Sequence, residues 1–172
     1  MTAHPTAIVE DGAEIGQGTR VWHFCHVRKG ARVGADCVLG KGVFVDSGAV
    51  IGDKVKIQNH VSVFNGVTIE TGVFVGPHVC FTNDKIPRAV NPDLSAKSAS
   101  DWKVTPTRVR EGASIGANAT IVAGITLGRW CLIGAGSVVT RDVPDFAMVV
   151  GNPARVVAHV DESGQIVRSS RS

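Results

Sequence analysis

The sequence predicts an all-β domain built from short strands on a six-residue repeat, and three observations lead to this prediction. Every sixth residue from Val9 to Phe81 is apolar, at all 13 positions. The residue two places earlier is small or β-branched, so large and small side chains alternate along one face of each strand. The chain has 20 glycines and only 5% aromatic residues, which suits a turn-rich core of Val, Ile and Ala. A period of six filled in steps of two places no apolar stripe on a helix of about 3.6 residues per turn.

Length and composition narrow the class of protein. At 172 residues, with 44% hydrophobic and 19% charged, the chain is expected to fold as one domain, residues 1–172. The net charge of +3, without basic runs interleaved with aromatics, argues against nucleic-acid binding. No apolar run approaches the ~20 residues of a membrane helix, and the polar start MTAHPTAIVEDG is unlike a signal peptide, so no membrane partner is expected.

The first part of the repeat occupies about residues 7–83. Its large apolar positions are Val9, Ile15, Val21, Val27, Val33, Leu39, Val45, Ile51, Ile57, Val63, Ile69, Val75 and Phe81. Glycine follows several of these positions and is expected to form the tight turns between strands. These glycines are Gly16, Gly34, Gly40, Gly52 and Gly76.

The four cysteines form no CxxC pair, which favours a reducing compartment, the cytoplasm. Cys25, Cys37 and Cys131 occupy small inward slots of the repeat and are expected to fill the core. Cys80 lies outside those slots, and no neighbouring residue marks it as an activated thiol.

The repeat breaks between Phe81 and Val109, which are 28 residues apart and therefore out of phase. The intervening stretch contains three prolines and no periodicity, so it is predicted to be a loop over about residues 84–106. Loops of this length in compact domains are usually functional, although a plain surface insertion is the alternative. Arg88, Asp101 and Trp102 are the residues there that could grip a polar ligand. Trp102 could equally fix the loop to the strands.

The six-residue register returns over about residues 107–143 and is followed by a short C-terminal tail, residues 144–172. Its large positions are Val109, Ile115, Ile121, Leu127, Ile133 and Val139. The two segments together resemble the hexapeptide-repeat family, whose fold is a left-handed parallel β-helix. In that family three hexads make one triangular coil, which implies about six coils here. Stacked coils bury a continuous aliphatic column, and each coil supports its neighbours.

An 18-residue coil places side chains 18 apart directly above one another, separated by ~4.8 Å. His60 and His78 form one such pair, and Asn65 and Asn83 form another. Two polar columns are therefore expected along neighbouring edges, and both end where the loop leaves. These residues are the first candidates for a site.

Local stretches narrow the resemblance further. QNHVSVFNGV, GVFVGPHVCFTNDKIPRAVNPD, GASIGANATIVAGITLG and GNPARVVA resemble the small N-acetyltransferases that act on 3-amino sugars of nucleotide-linked (dTDP or UDP) precursors. The resemblance implies transfer of acetyl from acetyl-CoA to the sugar amine for surface glycans such as O-antigen lipopolysaccharide. It also implies a homotrimer with active sites between subunits, and no metal.

The resemblance places CoA along the C-terminal coils, where small residues let pantetheine approach exposed backbone amides. The residues carried over for CoA binding are Ala117, Asn118, Ala123, Gly124, Ala135, Arg141, Pro153 and Arg155. Arg141 and Arg155 would meet the phosphates, and Pro153 would fold over the nucleotide end. Ordinary turn residues and solvated arginines are the competing interpretation.

Two mechanisms fit the candidate residues. In one, His78 or His60 removes the amine proton as a general base. In the other, Asn83 orients an amine that binds already neutral, and the proton leaves with the CoA thiolate. Asp84 either binds the amine on arrival or closes the turn.

Three alternative functions are compatible with the repeat. A γ-type carbonic anhydrase would use the spacing H-x4-H for zinc, but His60 and His78 are each followed at that distance by Asn. His23 and His26 are a weaker pair. An O-acetyltransferase of the serine or galactoside type would keep acetyl-CoA but need a base. A purely structural solenoid would not need the loop.

Overall fold

The computed structural model describes residues 1–98, 101 and 103–169, and these residues form a left-handed parallel β-helix. The strands before the loop are β1 Thr2–Ala3, β2 Ile8–Val9, β3 Glu14–Ile15, β4 Arg20–Val21, β5 His26–Val27, β6 Arg32–Val33, β7 Val38–Leu39, β8 Phe44–Val45, β9 Val50–Ile51, β10 Lys56–Ile57, β11 Ser62–Val63, β12 Val67–Ile69, β13 Phe74–Val75 and β14 Cys80–Phe81. After the loop come β15 Thr107–Val109, β16 Ser114–Ile115, β17 Thr120–Ile121, β18 Thr126–Leu127, β19 Leu132–Ile133, β20 Val138–Val139, β21 Ala147–Gly151, β22 Ala154–Val160 and β23 Ile166–Ser169.

Three sheets form the sides of a triangular prism. Side A contains β1, β4, β7, β10, β13, β16, β19 and β21–β23; side B contains β2, β5, β8, β11, β14, β17 and β20; side C contains β3, β6, β9, β12, β15 and β18. We name the edges where consecutive sides meet the AB, BC and CA corners. Strands pair with the strand 18 residues later, as Lys56 does with Phe74, so three hexads make one coil as predicted.

Seven coils are present and β21 begins an eighth, so the prediction of about six was low. It left out β1, which precedes residue 7, and the chain after Val143, where β21 pairs with β19; Val143 itself bridges Leu127. Residues 144–172 therefore include three strands. The antiparallel hairpin of β22 and β23 extends side A at the C-terminal end.

The core is the aliphatic column that the repeat predicts. Every large position of the repeat is buried except Val9 and Ile15, which lie in the first coil with no coil beneath them. Burying each such side chain contributes about 1.5–3 kcal/mol. Cys25, Cys37 and Cys131 are buried in the inward slots, as predicted, and Cys80 is exposed.

The glycines that follow the large positions have a different role from the predicted one. None of them has a positive φ; the positive-φ corner slot falls four residues earlier, at positions such as Gly72 (φ +72°). A Cβ on Gly76 would instead lie 2.6 Å from the backbone nitrogen of Ala117 in the next coil. Glycine is required there because the backbones of stacked coils approach closely.

The loop leaves and re-enters the coils at the BC corner. The carbonyl of Asn83 accepts a hydrogen bond from the Thr105 amide (3.3 Å), and the Thr107 amide donates to the carbonyl of Gly66 (3.0 Å). Pairing then resumes as if the loop were absent. Among the described residues, none belongs to a helix long and apolar enough to cross a membrane.

Candidate active site

The histidine column lies at the AB corner. The rings of His60 and His78 stack with their centroids 5.2 Å apart and their planes 20° from parallel, as the 18-residue spacing predicts. Both side chains are exposed. Each histidine has φ +58°, and Asn118 has φ +57° at the same corner, so the left-handed backbone belongs to the corner and not to the histidines.

The same corner carries free backbone donors in the coils above. The Asn118 amide donates to the carbonyl of Pro77 (3.0 Å), and this hydrogen bond links the coil of Asn118 to the coil of His78 below it. In a lower coil the Lys41 amide is held by Oδ1 of Asn59 (2.9 Å). The equivalent amides of Ala117 and Ala135 donate to no group in the described part of the chain. These two amides therefore remain available to a ligand.

The asparagine column lies at the BC corner. Asn65 is exposed and its amide donates to Oδ2 of Asp46 (3.3 Å), while Asn83 is half-buried at the base of the loop. Three of the residues carried over for CoA lie on this corner, and the amides of two of them, Ala123 and Gly124, are already used. The amide of the fully buried Ala123 donates to Oγ1 of Thr82 (2.9 Å), and that of Gly124 donates to Oγ1 of Thr107 (3.1 Å).

One chain does not bring the two columns together. His78 and Asn83 lie at opposite edges of side B with β14 between them, and five extended residues span up to about 16 Å. Arg141 is exposed at the BC corner, 18 residues after Ala123 and therefore directly above it. Pro153 and Arg155 are exposed in the hairpin of β21 and β22. A site that uses all of these residues needs a second surface.

The base of the loop forms a cavity of about 350 Å³, the loop-base cavity. It is lined by Asp84, Lys85, Ile86, Lys97, Asp101, Lys103 and Thr105. The sequence predicted the two carboxylates but missed the three lysines, because they follow no period in the loop. Arg88 is not among the lining residues; its Nη1 donates to the carbonyl of Pro87 (3.0 Å). Trp102 lies outside the described residues.

Both carboxylates of the loop-base cavity are held by the loop itself. Oδ1 of Asp84 accepts the Ile86 amide (2.8 Å), which is the turn-closing role. Oδ2 of Asp101 accepts the amide (2.7 Å) and the hydroxyl (2.8 Å) of Ser98, and these hydrogen bonds lower the pKa of Asp101.

Comparison with family models identifies the repeat. The model described as "bacterial transferase hexapeptide (six repeats)" matches residues 12–47 and 106–141, and that of "hexapeptide repeat of succinyl-transferase" matches residues 30–65. Together they cover just over half of the chain. The chain belongs to the hexapeptide-repeat family.

Individual hexapeptide-repeat proteins resemble it in part. A dTDP-3-amino-3,6-dideoxy-α-D-galactopyranose 3-N-acetyltransferase of Aneurinibacillus thermoaerophilus is 59% identical over 54 residues, which are 31% of this chain and 28% of that protein. A galactoside O-acetyltransferase of Lactococcus lactis is 35% identical over 98 residues, 55% of this chain and 46% of that one. The chain thus spans less than half the length of either relative.

A solved structure matches over more of the chain. The acetyltransferase domain of PglB from Neisseria gonorrhoeae, in complex with acetyl coenzyme A, is 25% identical with a TM-score of 0.57. The match covers 90% of this chain and 56% of that one.

Other reactive side chains of this hexapeptide-repeat protein are engaged or isolated. Nε2 of His26 lies 2.7 Å from Oε1 of Glu10, and the ring of His23 stacks on that of His4. Cys80 faces outward on side B, where its thiol makes, among the described residues, only a long contact (3.9 Å) with the carbonyl of Phe81. Within the described ranges, no three His, Cys, Asp or Glu side chains are grouped to hold a metal ion.

Proposed function

We propose that this protein is an acetyl-CoA-dependent N-acetyltransferase that acts on the 3-amino group of a dTDP- or UDP-linked sugar used for surface glycans. The observation that carries the proposal is the AB corner, where the His60–His78 stack ends one coil below the free amide of Ala117 and two below that of Ala135. A base and two oxyanion or pantetheine donors therefore lie along one edge. The sugar N-acetyltransferase relative and the acetyl-CoA complex of PglB support the substrate and the acetyl donor.

In this proposal, different residues of the chain orient the amine, accept its proton and stabilise the oxyanion. The neutral amine attacks the thioester carbonyl, forming a C–N bond and an oxyanion, which collapses and expels the CoA thiolate. The amine proton passes to the His78 imidazole or to the departing thiolate. Asn83 orients the amine, and the amides of Ala117 and Ala135 bind pantetheine or the oxyanion.

The active protein is a homotrimer in this proposal, with each site between two subunits. The support is the placement of His78 and Asn83 on opposite edges of side B, because a neighbouring subunit can bring its other edge to the first. If His78→Ala and Asn83→Ala are each inactive, mixing the two proteins tests this, since random trimers would regain about a quarter of the sites. If activity does not return after subunit exchange, His78 and Asn83 belong to a site within a single chain. The free thiols fit a reducing compartment, so we expect the enzyme in the cytoplasm.

A substrate panel tests the reaction. Acetyl-CoA is mixed with dTDP- and UDP-linked 3-amino sugars, and thiol release is followed, with the matching 3-hydroxy sugars as controls. We expect turnover with at least one amino sugar and none with its hydroxy counterpart. Absence of turnover with every 3-amino sugar would overturn the substrate assignment.

A hexapeptide O-acetyltransferase is the second candidate, supported by the longer match to the galactoside O-acetyltransferase. It predicts acetylation of a hydroxy sugar or galactoside in the same panel. A hydroxyl needs a base more than a neutral amine does, so His78→Ala would abolish that activity.

A further inference from the structure

We propose that the loop-base cavity is a phosphate-binding subsite, in which Lys85, Lys97 and Lys103 bind phosphate groups of a substrate. The inference deepens the proposed function, on which it rests, because both proposed substrates carry phosphoanhydrides. Nothing in the repeat pattern points to these lysines.

The charges in the cavity favour an anion. Three lysines line the cavity together with two aspartates, and both aspartate carboxylates already accept hydrogen bonds from the loop, Asp84 from Ile86 and Asp101 from Ser98. Among the described residues, no lysine of the cavity lies within ion-pairing distance of a carboxylate; the ion pairs of the chain are elsewhere. Lys97 also helps, through its charge, to lower the pKa of Asp101. In the described part of the chain, however, none of the three ammonium groups forms an ion pair, so their donors are open to a ligand.

Lys85 connects the cavity to the coil above. A Cβ on Gly124 would lie 2.9 Å from Nζ of Lys85 and 2.6 Å from Cγ2 of Thr105, so glycine makes room for the lysine. Gly124 also has φ +81°, which glycine adopts without strain. The ammonium consequently sits at the BC corner, two residues along the chain from Asn83. A phosphate bound there would lie near Asn83, the residue proposed to orient the amine.

Two substrates could supply the phosphate. One is the diphosphate of the nucleotide-linked sugar; the other is the diphosphate or 3′-phosphate of CoA. The chemistry of recognition is the same, because both present charged oxygens to ammonium donors. Kinetics with each substrate varied separately distinguishes them.

The direct test is calorimetric titration of inorganic diphosphate into the wild-type 172-residue protein and into its Lys85→Gln, Lys97→Gln and Lys103→Gln variants. Lys29→Gln is the matched control. It removes the same charge from the same corner three coils lower, about 14 Å away, which exceeds the screening length of ~8 Å at physiological ionic strength. Thermal melts establish that each variant folds.

Each cavity variant is expected to weaken diphosphate binding about 10-fold, as loss of a charged hydrogen bond does, with Lys29→Gln unchanged. Lys85→Arg should restore much of the affinity. In turnover, an increase of KM for the amino sugar alone identifies the nucleotide sugar as the source, and an increase for acetyl-CoA alone identifies CoA.

Diphosphate affinity that is equal in the wild-type protein, the cavity variants and Lys29→Gln would overturn the subsite. The titration needs no turnover, so the two proposals fail separately. Lysine-dependent binding without acetyl transfer removes the reaction and keeps the subsite. Normal acetyl transfer with unchanged KM values, together with diphosphate binding that does not depend on the lysines, removes the subsite and keeps the reaction.

Discussion

Replacing Gly76 by Ala tests whether glycine at this position serves coil stacking. The new Cβ would meet three backbone atoms of the next coil, at 2.6, 2.8 and 2.9 Å, and ordinary contact begins near 3.4 Å. The coils would therefore have to separate locally by about 0.8 Å. That shift also strains the hydrogen bond from the Gly76 amide to the carbonyl of Ile115 (2.8 Å). Overpacking of 1–3 kcal/mol and a weakened bond of about 1 kcal/mol give a loss of about 3 kcal/mol.

Gly72 provides the matched control for this substitution. It has φ +72°, and a Cβ there would meet no atom within 4 Å. Gly72→Ala should therefore cost only the left-handed backbone preference, about 1 kcal/mol. Gly72→Asn should cost less, because Asn tolerates this conformation, whereas Gly76→Asn should gain no such relief.

Calorimetric melting at one protein concentration measures the difference. With about 2–4 °C per kcal/mol for a chain of this size, Gly76→Ala should lower Tm by about 6–12 °C and Gly72→Ala by about 2–4 °C. Equal shifts for the two variants would refute the close-approach argument.

Three further predictions concern catalysis, the core and the buried thiol. If His78 or His60 is the base, its replacement by Ala lowers kcat by about 10²–10⁴-fold, and near-normal rates in both variants would instead support proton loss with the thiolate. Phe81→Ala, at a fully buried side chain, should lower the free energy of unfolding by about 3–5 kcal/mol in denaturant titration, whereas Phe74→Ala on the exposed face of side A should lower it far less. Similar losses for the two variants would contradict the burial of Phe81 in the core. Burial raises the pKa of Cys131 from 9.0 to about 12, so its stabilising effect is complete below pH 9 and is lost as pH rises toward 12. Cys131→Ala should flatten that alkaline decline in Tm, and an unchanged slope would exclude this thiol as its cause.

The core was predictable because large apolar side chains recur at a strict period on one face of each strand, and the hydrophobic effect favours burial of that face. The positive-φ corner slot was not, since it accepts Lys54 and Trp130 as well as glycine, and so leaves no residue signature. The coil count fell short because β1 and β21 lie where the spacing of large residues ends.

The candidate site was predictable only where it inherits the coil spacing. His60 and His78 stack because residues 18 apart must lie above one another. The backbone amide of Ala123 donates to Thr82, whereas that of Ala135 has no partner among the described residues. Composition cannot distinguish these two alanines, because their local sequences are alike. The lysines converge through the fold of an aperiodic loop, which spacing cannot reveal.

The hydrogen bond between Asn83 and Thr105 closes the loop at a single point of the prism, and this closure separates two kinds of sequence change. Within a coil, one inserted residue would turn every later inward side chain outward. Between Asn83 and Thr105, residues can be gained or lost while every coil keeps its register. The loop beside the candidate site can therefore change in length and composition during evolution without any change to the buried aliphatic column that stabilises the fold.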